Sequence, residues 1–200
     1  MPWAAVARLQ VPGVSRCTAV LVAPNFAVTA AHCLTRPGLG HFVQAGSIHI
    51  LLGYKGGAFT RHIVPDAVIL PPRADPGGTG PRDADIAVLH FAPPATDVVP
   101  LRRDAAQAGT ALILAGFSQD RIERLQIDPA CRATGRASAS GGGELLVHDC
   151  NGTRGSSGGP LLVMDGAGGY SVAGIQVAGG AGAGGVAVPA TAVAALLPQE

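Results

Sequence analysis

The sequence predicts an all-β protein built on closed antiparallel sheet, and three observations carry that prediction. Short apolar or alternating runs, about ten of them, are spread along the whole 200-residue chain. Gly, Pro or Asn punctuates nearly all of them, drawn from 29 glycines and 16 prolines. No long amphipathic helical pattern separates the runs. So many short strands are best accommodated by closing the sheet, which removes unpaired edges.

The runs follow in order. "AAVARLQV" (4–11), "CTAVLVAP" (17–24) and "FAVTAA" (26–31) open the chain, and "SIHILLG" (47–53), "HIVPDAVIL" (62–70) and "DIAVLHF" (85–91) continue it. A long polar loop, "PPRADPGGTGPRD" (71–83), precedes the last of these, and then come "ALILAGF" (111–117), "ELLVHDC" (144–150), "GPLLVM" (159–164) and "SVAGIQV" (171–177). "PATAVAALL" (189–197) reads as a terminal helix, and "GAGAGG" (180–185) as flexible strand and turn. The latter fits G-x-G-x-x-G, but a dinucleotide site needs a βαβ unit that the remaining residues are too few to build.

Composition excludes several classes. A formal net charge of +1 gives no field to recruit nucleic acid or an anionic membrane. An apolar content of 48% with 14% charged residues excludes disorder. The apolar run nearest to a membrane span is interrupted by Pro24 and Asn25. The start, "MPWAAVARL", lacks a basic-then-apolar signal segment, and Met1 lies almost directly at the first strand, so no propeptide is expected ahead of it.

Cys17, Cys33, Cys131 and Cys150 make an even count at wide spacing, without a CxxC pair for zinc or redox chemistry. Two disulfides are expected, with three connectivities open and the sequence-local pairs Cys17–Cys33 and Cys131–Cys150 preferred. Buried free thiols in a reducing compartment are the alternative. His41, His49 and His62 lack ligand spacing, so no metal is expected, and "NGT" (151–153) is treated as an incidental sequon.

Two short motifs carry chemistry. "TAAHC" (29–33) places His32 between alanine and cysteine, and "GSSGGP" (155–160) sets Ser157 among glycines. The second fits G-x-S-x-G, yet the hydrolase elbow of that form needs a histidine after its serine, and all six histidines precede Ser157. The opposite order, histidine then aspartate then serine, is available as His32, Asp85 and Ser157. Taken singly, each has an ordinary reading: a core histidine, a strand-start aspartate with Asp83 as competitor, and a turn serine. Together and in order they suit nucleophilic catalysis. A hydroxyl needs a base to take its proton, an imidazole titrates near neutrality, and a carboxylate fixes the imidazole's tautomer.

"TAAHC", "DIAVLHF" and "GSSGGP" together resemble the chymotrypsin-like (trypsin-like) serine proteases, particularly short bacterial members related to glutamyl endopeptidases. "PWAAVARL" (2–9) is similar to the first core strand of that family, and "GIQVAGG" (174–180) to the strand lining its substrate cleft. The resemblance implies two antiparallel Greek-key β-barrels packed together with a short C-terminal helix. It implies one peptidase domain over residues 1–200, divided within about 71–110. Catalysis would fall to His32, Asp85 and Ser157, the oxyanion hole to the N–H groups of Gly155 and Ser157, and no cofactor would be needed. Cys17 and Cys33 match the disulfide that brackets the family's histidine.

Specificity follows less directly from the resemblance. Asn151 and Gly152 would form the floor of the primary pocket, with Gln176, Val177 and Gly179 in its wall. No aspartate meets a basic side chain there, and Gln176 and Gly152 stand where glutamyl endopeptidases carry histidine and threonine. A polar or small uncharged residue before the cleaved bond is expected, with glutamate as the rival through Gln176 and Thr153. Ser156 replaces the aspartate that pairs with a new amino terminus in zymogens, so activation by that ion pair is not expected. The expected partner is a polypeptide substrate, the expected state a monomer, and the expected location secreted or periplasmic. The alternative function is a protease-like binding protein without catalysis.

Overall fold

The computed structural model describes residues 1–36, 38–121, 123–180 and 182–198. It is all-β, in two sheets. The first half contributes β1 (Val6–Val11), β2 (Ser15–Ala23), β3 (Phe26–Thr29), β4 (His49–Leu52), β5 (Arg61–Ile63), β6 (Ala67–Ile69) and β7 (Ala87–His90). These pair in the order β5-β4-β1-β2-β3-β7-β6 and curl into a half-barrel. The second half contributes β8 (Ala111–Gly116), β9 (Gln126–Ser138), β10 (Glu144–His148), β11 (Pro160–Met164), β12 (Tyr170–Gly180) and β13 (Gly184–Pro189), which close into a six-stranded barrel. One short helix, α1 (Ala190–Ala194), follows β13.

The all-β expectation and the C-terminal helix are borne out, and the local differences have physical causes. The run 62–70 splits into β5 and β6 around Pro65, which has no N–H to give a ladder. The longest strand, β9, was not among the expected runs. Of its thirteen residues only Cys131 and Ala133 are buried, so its sequence "QIDPACRATGRAS" reads as polar loop. β13 lies partly in the glycine-rich run and pairs with β12 from Gly180↔Gly184 to Gly174↔Pro189.

The central strands are buried over consecutive residues, six in β2 (Cys17–Val22) and four in β11 (Pro160–Val163). Leu9, Leu21, Ile50, Leu89 and Phe91 fill the first half, and Leu112, Leu114, Leu146 and Leu161 fill the closed barrel. Leu162, Val172, Ile175 and Val188 of the second half join the first half's cluster, so the sheets share one continuous apolar contact. Burial of each such side chain is worth about 1.5–3 kcal/mol. Both expected disulfides form, Cys17–Cys33 and Cys131–Cys150. Among the described residues no helix is long and apolar enough to cross a membrane.

Candidate active site

His32 sits in a 3-10 turn, Ala31–Leu34, immediately after β3, and its neighbour Cys33 is bridged to β2. Asp85 follows a second 3-10 turn, Arg82–Ala84, just before β7. Because β3 and β7 pair through Thr29↔Ala87, the end of one and the start of the other are brought side by side. The Asp85 carboxylate then holds His32 at two points. Oδ1 accepts the backbone N–H at 2.8 Å, and Oδ2 lies 2.7 Å from Nδ1. Asp83, the sequence competitor, is engaged elsewhere: its buried carboxylate pairs with Arg73.

Ser157 lies in the loop between β10 and β11, and that loop is fastened to the first sheet by Thr18. The Thr18 N–H donates to the Ser157 carbonyl at 2.9 Å. The Thr18 hydroxyl donates to the Gly155 carbonyl at 2.8 Å and accepts the Phe117 N–H at 2.9 Å. Thr29 in turn donates to the Thr18 carbonyl at 2.8 Å. Close approach requires glycine at two positions. Gly155 (φ +95°) and Gly158 (φ +81°) are left-handed, and a Cβ there would lie 2.3 Å from the Phe117 carbonyl oxygen and 2.1 Å from that of Thr18. Among the described residues, neither the Gly155 nor the Ser157 N–H donates to a protein acceptor.

His32, Gly155 and Ser157 line one cleft of about 610 Å³, bounded on the first sheet by the β1–β2 hairpin. A second cleft, of about 480 Å³, takes in His32 and Asp85 on the other side, with Thr79, Arg82 and Ser138. No hydrogen bond joins the Ser157 hydroxyl to His32 in this arrangement. Such contacts often tighten only when substrate is bound.

The expected pocket residues divide into two groups. Asn151 is exposed; its side-chain oxygen accepts the Gly182 N–H at 2.9 Å, and its own N–H donates to Asp128 at 2.7 Å. Gln176 and Val177 are buried, and Gln176 is linked to a residue that sequence reasoning missed, His148. His148 Nδ1 accepts the Cys150 N–H at 3.1 Å, so the proton rests on Nε2, which donates to Gln176 Oε1 at 2.6 Å. The carboxamide is thereby oriented with Nε2 toward the Ala178 carbonyl at 3.1 Å. Burial pushes the His148 pKa down, against smaller upward pulls from Gln176 and nearby carboxylates. A Cβ on Gly152 or Gly179 would lie 3.4 or 2.5 Å from that same Gln176 nitrogen, so both glycines border it. Ser156 is buried and donates to the Thr153 carbonyl at 2.6 Å. The only signal for His148 was a histidine inside an apolar strand; for Thr18, a hydroxyl inside "CTAVLVA".

The model of the Trypsin family matches residues 1–197. The chain belongs to the trypsin family. Among curated proteins none matches this trypsin-family chain by sequence. Among solved structures it is similar to the Rv3671c protease in its inactive form. The TM-score is 0.69 at 16% identity, over 98% of this chain and 88% of that one. At such identity the likeness concerns the fold: a trypsin-like pair of β-barrels. Membership of the family carries serine protease activity in general terms and makes polypeptides its substrates. Two disulfides suit an oxidising environment.

Proposed function

We propose that this trypsin-family chain is a serine endopeptidase that works through an acyl-enzyme on Ser157. The observation that carries the proposal is the two-point hold of Asp85 on His32, facing the cleft that Ser157 lines. With Nδ1–H committed to Asp85, the Nε2 lone pair is left to take the Ser157 proton. The hydroxyl oxygen then attacks the peptide carbonyl, and the free N–H groups of Gly155 and Ser157 are suited to receive the developing oxyanion. The imidazolium returns its proton to the leaving amine as the C–N bond breaks. Water repeats the sequence on the ester, restoring Ser157 and releasing the acid.

For the residue before the cleaved bond, the proposed walls are Gly152, Val177 and Gly179, with Gln176 held by His148 behind them. No carboxylate is available among these to pair with arginine or lysine, and burying an unpaired charge is strongly disfavoured. A polar or small uncharged residue is therefore favoured.

The test is active-site labelling. A fluorophosphonate should modify the protein once, at Ser157, and Ser157→Ala should lose both labelling and peptide hydrolysis with its melting temperature nearly unchanged. Undiminished hydrolysis by Ser157→Ala would overturn the proposal.

A further inference from the structure

We infer that the cleft over the β1–β2 hairpin selects acidic residues in its substrate, through Arg16 and Arg154. The inference rests on the endopeptidase reading for one point, the direction of the peptide. With the acyl half along Val177–Gly179, the leaving half crosses the hairpin.

Among the described residues the charges in the cleft are one-sided. Arg16 projects from β2 on the first-sheet wall, and Arg154, next to Gly155, from the second-sheet wall. The described residues lining this cleft include no carboxylate. Both arginines are exposed, and neither forms an ion pair among the described residues. A third cation, Arg36, reaches the same hairpin turn, donating to the Gly13 carbonyl at 3.4 Å. Glu123 is the acid whose charge is felt by Arg16, but its carboxylate already accepts from Tyr54 at 2.7 Å and from Arg8 at 3.4 Å. The Tyr54 hydroxyl is the main cause of its lowered pKa, and Arg16 is the least of the causes.

On the far side of His32 the balance reverses. That cleft holds Asp75 and Asp85 against Arg82 alone. The Asp75 carboxylate accepts from the Thr79 hydroxyl and from the Gly77 and Thr79 N–H groups, which keep it ionised. Since the whole chain carries only +1, this is an arrangement of charge and not a surplus of it. A carboxylate passing between Arg16 and Arg154 meets two cations, one on each wall, that form no ion pair among the described residues. A lysine there meets repulsion from both.

The experiment compares matched peptides carrying Glu, Gln or Lys at the two positions on either side of the cleaved bond. Glu in the leaving half should raise kcat/KM roughly tenfold over Lys, and rising salt should shrink the ratio. Taking the ratio within each variant cancels any change in the chemical step. Arg16→Glu should abolish or invert it, and Arg16→Lys should restore it. A ratio near one, a preference for lysine, or a charge preference confined to the acyl half would overturn the inference. If no peptide is cleaved, the endopeptidase reading fails, and anisotropy of the same peptides on the Ser157→Ala protein decides the inference alone. Salt-sensitive binding that prefers Glu and is lost with Arg16→Glu upholds it; absent or charge-blind binding rejects it.

Discussion

Thr18 shows how one buried hydroxyl can matter more to a site than its position in the sequence suggests. It is fully buried, and two of its atoms, through three hydrogen bonds, tie the loop of Gly155 and Ser157 to β2 and to the Phe117 amide. Thr18→Val keeps the shape and removes the hydroxyl, leaving the Gly155 carbonyl and the Phe117 N–H without that partner. Each orphaned buried group costs about 1–3 kcal/mol, so denaturant midpoints should fall measurably. Labelling by a fluorophosphonate should slow further than stability alone accounts for, because the Gly155 peptide is free to reorient. At this scale the candidates His32, Asp85 and Ser157 stood out because each sits in its own short motif, and of these the structure bonds His32 to Asp85. Thr18 was not, since its bond to Gly155 spans 137 residues. His148 was not either, because its meaning comes from Gln176 on another strand.

Among the elements, those with apolar alternation were visible and those that show a polar face to solvent were not. β9 is the example: its ladder to β8 and β10 supplies the backbone pairing, while its side chains stay mostly outside. The loop 71–83 was visible as a loop, but its attachment was not. Arg73 bonds Asp83 and also donates to the Gly141 carbonyl at 3.0 Å in the β9–β10 turn. That clamp fixes the 3-10 turn from which Asp85 emerges. Arg73→Ala leaves the Asp83 carboxylate, 6% exposed, without its cation. The expected loss is about 1–3 kcal/mol, less than for a fully buried pair because Arg73 is half exposed. Thermal melts check this loss. Peptide hydrolysis should fall with it, and Arg73→Lys should recover part of both.

For the molecule as a whole, the buried His148–Gln176 pair makes stability depend on pH. Folding lowers the His148 pKa, so below the ordinary value of 6.5 an unfolded chain binds a proton that the folded chain refuses. Stability is therefore fully present above about 6.5 and declines as pH falls from there toward the lower folded pKa. In His148→Gln that contribution is gone. The melting temperature of the variant should start lower near neutrality, yet fall less between about pH 7 and pH 5 than that of the parent. Parallel melting curves across that range would contradict the assignment. The overall architecture was legible because strand periodicity repeats often enough to signal all-β. Which sheet closes was not, because closure of the second depends on β9, and the first stays open between β5 and β6.

The Thr18 fastening also bears on when a newly made chain becomes competent. During synthesis Thr18, His32 and Asp85 all emerge well before the loop at Gly155–Gly158, whose left-handed glycines press against Phe117 and against Thr18 of β2. The shape of the loop is thus a product of assembly across nearly the full length of the chain. A truncated or half-made molecule, though it carries His32 and Asp85, has no formed loop to use them.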